Sequence, residues 1–303
     1  MLFINVYDAS FDNLKWDLVL YSVIAIIVIF ALGLLTCILT TKDNKRRGVI
    51  LQCTFRSNYA IIGLSLASAL VGAELQSEVE AIAAIVSAFS IPVFNILAVI
   101  SLSIFVSDDK EQSQDGTTTI KKKRGQSVKN VLLNIVKNPL IIGVVLGIIF
   151  LGLRELEGVW GWTFTIKNDL YFLYKALSNV KAIASPLALV VLGGQFKFSA
   201  VKGMLKEIIV GTAWRTILAP LIGIGCAVLL STYTVFINFG ATEYPALIAL
   251  FGSPVAVSSA IMAGQMGNDE QLGTQLVVWT SIVSIFTIFI TVCILIGFGL
   301  LAV

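Results

Sequence analysis

The residues able to do chemistry in this 303-residue chain are few, and they are amides, hydroxyls and one arginine rather than catalytic groups. Asn58 stands in "FRSNYAIIGLSLASALVG". Gly63 and Ser65 follow it. Gly252, Ser253 and Pro254 interrupt "LFGSPVAVSSAIMAGQMGNDEQ", and Arg215 lies in "GTAWRTILAPLIG". An amide donates to a carboxylate or accepts from a hydroxyl. A guanidinium presents a planar fork that matches a carboxylate. A helix that restarts after Gly-Ser-Pro points free N–H groups and a positive dipole end at whatever lies before it, and this favours an anion. In that reading glycine allows a sharp turn, Ser253 caps the restarted helix and Pro254 takes its first position, where a missing N–H costs nothing. Gly63 followed by Ser65 can act in the same way. The competing reading is a proline kink satisfied by neighbouring serines.

Enzyme chemistry finds no support. The chain has no histidine, and its four cysteines (Cys37, Cys53, Cys226, Cys293) have neither paired nor metal-ligand spacing. It has no Gly-rich phosphate loop and no nucleophile elbow. No metal, cofactor or nucleic-acid partner is expected.

The elements that position these residues must be membrane helices. Only 13% of residues are charged, about half the share of a soluble domain, and uncharged runs near the length of a bilayer crossing recur. Spans are expected at 17–40, 50–73, 80–106, 131–152, 169–196, 204–231, 244–264 and 274–301, eight in all. Lys and Arg concentrate in "TKDNKRRG", in Lys121–Arg124 of the loop after the third span, and at Lys197 and Lys202. Even numbers of spans separate these loops, so all three are expected in the cytoplasm and both termini outside. Trp16, Trp160 and Trp162 cluster on the opposite side, as an interfacial belt. Residues 107–130 form the only long polar stretch and read as a cytoplasmic linker. It separates an N-terminal repeat, 1–106, from a C-terminal one, 131–303.

The halves are weakly similar. Ser87, Ser90 and Ile91 match Ser281, Ser284 and Ile285 at one offset (281 − 87 = 284 − 90 = 285 − 91 = 194). The second span runs outward and the seventh inward, so matching elements are inverted, a common transporter plan with a substrate site between broken helices. Arg215 is read as the deepest basic residue in any span, nine residues past Lys206, or about 13 Å along a helix. It either faces a cavity and draws in an anion or snorkels to the surface. Asn58 reads either as a substrate ligand or as one end of an interhelical hydrogen bond. Glu74, Glu78, Glu80, Asp269 and Glu270 lie in loops at the ends of the broken helices and read as solvated. The serine pairs and "GVVLG" (143–147) read as close helix packing.

Four stretches in order, "FRSNYAIIGLSLASALVG", "NPLIIGVVLGIIF", "SPLALVVLGGQF" and "FGSPVAVSSAIMAGQMGND", resemble the auxin efflux carrier family, which includes plant PIN proteins and bacterial permeases for malate or malonate. The resemblance runs from about residue 5 onward. It implies an all-α fold of two inverted five-helix repeats, the fourth helix of each broken and crossing its mate at the substrate site. It further implies a scaffold that dimerises, a transport domain that moves as an elevator, and a small organic anion as substrate, with Asn58 as one of its ligands. The short central loop favours a bacterial inner-membrane permease over a plant carrier. Two departures stand out. Ser65 occupies the place where the family usually has proline. The first helix and most of the second have no counterpart here, so the 303-residue chain is expected to be unstable or inactive without such a segment. Gly143, Gly147, Gly193 and Gly194 are expected to lack partner helices. A non-transporting sensor or regulatory subunit, and a bile-acid-carrier-like cation symporter, are the alternatives.

Overall fold

The computed structural model of the chain describes Tyr7 and residues 15–106, 139–155, 165–234 and 237–301. The expected linker 107–130, Trp160 and Trp162 lie outside the described residues.

Every described element longer than a bridge is helical. In chain order they are α1 (Trp16–Thr40), α2 (Asn44–Phe55), a π-helical turn (Tyr59–Gly63) running into α3 (Leu64–Ala69), and α4 (Ala73–Ser103). Then come α5 (Pro139–Glu155), a single turn at Ile166–Asp169, and α6 (Tyr171–Gln195). After a 3₁₀ stretch at Phe198–Gly203, α7 (Leu205–Ala213) passes through two π-helical stretches, Trp214–Leu218 and Leu221–Gly225, into α8 (Cys226–Tyr233). The chain closes with α9 (Glu243–Gly252), α10 (Ser258–Gln265) and α11 (Glu270–Gly297).

The solvent is legible on the helix faces. α1 buries Leu18, Tyr21, Ala25 and Ile29 yet leaves Leu20, Ile24, Leu35 and Leu39 exposed. α11 leaves Phe286 and Phe289 about two-thirds exposed, at 65% and 69%. A helix apolar on both its packed and its outer face is at equilibrium in lipid, not in water. Among the described residues four segments are long and apolar enough to span: Trp16–Thr40, Ala73–Ser103, Leu205–Tyr233 and Glu270–Gly297.

The expected spans at 50–73 and 244–264 are each split in two. α2 and α3 flank one break, α9 and α10 the other. α2 packs beside α10, and α3 beside α9, so each half-helix meets the opposite half of the other unit. The breaks meet in the middle, where Ser57 and Val255 form an antiparallel bridge. Antiparallel pairing is what inverted repeats require. α4 and α11 follow the two broken helices and pack against both.

Each end of the crossing pair is fastened by charge. At one end the Asp43 side chain caps α2, accepting from Lys45 N at 2.8 Å, and Asp269 caps α11, accepting from Leu272 N at 2.9 Å. Arg46 joins these helices through Asp269 (3.0 Å) and reaches Glu207 of α7 (3.3 Å). Glu270 accepts from Gln195 at 2.8 Å. At the other end Lys15 pairs with Glu243, and Glu80 accepts from Ser68 at 2.6 Å. Glu78 stands 4.0 Å from Lys15. Ser87, Ser281 and Ser284 donate to carbonyls of their own helices, while the buried Ser90 hydroxyl has no partner.

α5 and α6 sit at the margin. α5 makes its main contact with α4, and α6 beyond its neighbouring turn touches α11. A Cβ placed on Gly143, Gly193 or Gly194 would meet nothing within 4 Å. Gly223 is the opposite case. Its carbonyl accepts from the Tyr21 hydroxyl at 2.7 Å, and a Cβ there would lie 2.2 Å from the Phe251 ring. Phe251 is buried at the end of α9 and has no room to retreat. Gly223→Ala should therefore overpack this contact by about 1–3 kcal/mol. A lower unfolding midpoint of the purified variant, measured in one detergent beside the parent, checks it. An unchanged midpoint would mean that the π-helical stretch Leu221–Gly225 and α9 are packed more loosely than described.

Candidate functional site

The second break follows directly from its residues. Proline disfavours the helical region for the residue before it, and Ser253 is extended at φ −61°, ψ 148°. Pro254 also lacks the N–H that would bond Leu250 O one turn back. The extended path runs through Val255 and Ala256, and α10 begins at Ser258. This relocates the expected restart. Pro254 lies in the unwound bridge rather than at the first helical position. The Ser253 hydroxyl is buried and unpartnered and does not cap a helix. Gly252 ends α9 without a positive φ; among the described glycines only Gly267 and Gly299 have one.

The first break needs neither glycine nor proline. α2 ends at Phe55, Arg56 is extended (φ −79°, ψ 101°), and the next helix starts at Tyr59. The two unwound strands hold each other: Asn58 N donates to Pro254 O at 2.8 Å and Ala256 N to Arg56 O at 3.3 Å. Gly63 and Ser65 thus lie beyond the restart, not at it. Gly63 is a contact glycine, because a Cβ there would come 3.1 Å from Ala249 O of α9. Ser65 is exposed within α3.

Unwinding orphans backbone carbonyls, and Arg215 collects them. Its Nε donates to Ser253 O at 2.8 Å and its Nη1 to Phe55 O at 3.1 Å. Its Nη2 donates to Leu250 O at 2.9 Å and Phe251 O at 3.1 Å. Leu250 O is the acceptor that Pro254 leaves without a helical donor, and Phe55 O is the matching acceptor at the end of α2. One fully buried guanidinium thus closes the C-terminal ends of α2 and α9 together. A cation is also favoured there by both helix dipoles. Arg215 neither snorkels nor points a free fork at the crossing. The π-helical turn Trp214–Leu218 carries it inward, a distortion frequent where a helix places one special side chain.

A second buried arginine, Arg56, lies in the first break, and the sequence reading passed over it. Its Nη2 donates to Asn95 Oδ1 at 3.0 Å and Ser258 Oγ at 3.1 Å, and its Nη1 points at Met262 Sδ at 3.1 Å. A signal was available. Arg56 lies as far past Arg47 as Arg215 lies past Lys206 (56 − 47 = 215 − 206 = 9). Neither arginine has a carboxylate partner among the described residues. Asn58 sits between the strands, buried, with its carbonyl accepting from Ile61, Ile62 and Gly63 N. Its side-chain amide does not cap the helix that follows and bonds no other described residue.

The family model of membrane transport proteins matches residues 3–292. The chain belongs to that family. The two inverted broken helices of this transporter cross at a buried centre that holds Arg56 and Arg215. No curated protein matches the chain. The transporter's expected substrate ligands are brought together only in part: Asn58, Gly252, Ser253 and Pro254 lie at the crossing, Arg215 lies behind it on the carbonyl side, and Gly63 and Ser65 lie further along the outgoing helix.

Proposed function

We propose that the chain carries a small organic anion of the malate or malonate type across the inner membrane of a bacterium, binding it at the helix crossing. The observation that supports this most is the charge there. Two guanidiniums are buried without a carboxylate among the described residues, and a buried charge is costly until it is paired. The first amides of Tyr59–Gly63 and of α10 add partial positive charge from two directions. Asn58 contributes a side-chain amide that bonds no other described residue. Arg215 serves the site by holding the two breaks in register, and the anion's direct counter-charge is Arg56.

The basic Lys42–Arg47 end faces the cytoplasm in this reading and the Lys15–Glu243 end faces outside. The tight bundle of α1–α4 and α7–α11 is the part that moves, as an elevator, against α5 and α6. The sparse contacts of those two helices among the described residues support that division, and a homodimer is the natural way to steady them.

Asn58→Ala should weaken malate binding to the purified chain in nanodiscs about tenfold, the worth of one hydrogen bond to a charged partner, without reducing its yield from membranes. Calorimetry reads the first and fluorescence-detected chromatography the second. Unaltered binding would remove Asn58 from the site.

A further inference from the structure

Gln52 stands one turn before Arg56 on α2, and Arg56 N donates to its carbonyl at 3.1 Å. Its side chain is fully buried. The amide nitrogen points at Met262 Sδ at 3.7 Å, the same sulfur that faces Arg56 Nη1. The amide oxygen, Oε1, has no partner. A thioether is a weak acceptor, so one poor acceptor answers both a buried guanidinium and a buried amide, while a strong acceptor beside them goes unused. An unpaired buried acceptor costs about 1–3 kcal/mol. Turning the amide over would not help, because it would set Oε1 against the sulfur. Asn95 and Ser258, which accept from the other guanidinium nitrogen, complete the surroundings.

This set has the polarity of a ligand with two different groups. Arg56 calls for a carboxylate and Gln52 Oε1 for a hydrogen-bond donor close to it. Met262 lies over both. Its unbranched side chain can swing away at little cost, and a carboxylate would replace its sulfur with a far better acceptor for Arg56.

We propose that Gln52 and Arg56 form a recognition pair selecting acids that carry a donor beside the carboxylate, a 2-hydroxy or 2-amino acid, over the acid lacking it, and that Met262 is the side chain the ligand displaces. The proposal rests on the anion-carrier reading and adds to it the class of anion. The pair lies on the α2–α10 side of the crossing.

The test compares malate with succinate, which differ by one hydroxyl. Both are titrated by calorimetry into the full chain in nanodiscs, into Gln52→Leu and into Arg56→Gln. The parent is expected to bind malate about tenfold more tightly than succinate, in line with one added hydrogen bond. Gln52→Leu should bring malate down to the succinate value and leave succinate where it was. Because each preparation is read as a ratio of two affinities, a smaller folded fraction does not imitate this result. Arg56→Gln should weaken both acids. Equal binding of the two acids by the parent would overturn the proposal while leaving the anion reading intact, and so would a malate preference that survives in Gln52→Leu. Binding of neither acid by the parent would remove the anion reading and this inference with it, whereas full binding of both by Arg56→Gln would overturn the recognition pair and leave the anion reading standing.

Discussion

Arg215→Met should leave little folded protein to purify. The methionine fills much of the same space but donates nothing, and four carbonyls lose their only side-chain donor among the described residues: Ser253 O, Phe55 O, Leu250 O and Phe251 O. Each orphaned acceptor costs about 1–3 kcal/mol, against a whole-domain stability of about 5–15 kcal/mol. Lysine keeps the charge but has one compact ammonium with three donors and no planar fork. Arg215→Lys should therefore fold with a clearly lowered unfolding midpoint, even with no substrate added. That last condition separates a clamp from a ligand. A residue that only binds substrate would, on replacement, leave the substrate-free midpoint alone.

Arg56→Gln should give the converse. Glutamine keeps an amide donor there, although its shorter side chain ends before the Nη2 position that bonds Asn95 Oδ1 and Ser258 Oγ, both of which are neutral partners. What disappears is an uncompensated charge in a low-dielectric setting, whose removal is neutral or stabilising for the bundle. The expected variant is at least as heat-resistant as the parent and binds malate at least about a hundredfold more weakly, the scale of losing a charge-assisted, two-point contact. Midpoint and affinity thus move in opposite directions for one arginine and together for the other. If both variants instead lost stability equally, the division of labour between Arg215 and Arg56 would be wrong.

The sequence carried the solvent, the helical class and the inversion, because these rest on long-range averages: apolar runs, sparse charge and the direction of matching spans. It carried the second break because Pro254 acts locally on Ser253. It did not carry where α10 begins. Three extended residues pair with the other strand before helix can resume, and that pairing is a tertiary fact. The first break was placed too late, at Gly63 and Ser65, since Arg56–Asn58 contains neither glycine nor proline; there the partner strand, not a local propensity, keeps the backbone extended. Asn58 was legible as a polar side chain in an apolar run. Arg215 was legible as a buried charge but not as a clamp, because its partners are carbonyls, and carbonyls leave no mark on a sequence. Arg56 was obscured by the basic loop preceding it, although its distance from Arg47 equals that of Arg215 from Lys206. Gln52 and Met262 look like ordinary interior residues until the Met262 sulfur is seen to face both the Gln52 amide and the Arg56 guanidinium.

The most direct check on the central claim is the location of a bound anion. The structure of the full chain in nanodiscs would be determined with and without malate, and the difference density inspected. The account predicts a feature at the helix crossing, touching Arg56 and Asn58, with Met262 moved off the Arg56 guanidinium and the four Arg215–carbonyl bonds unchanged. Density bound directly to Arg215 with its carbonyl bonds broken, or seated elsewhere with the crossing unaltered, would contradict it.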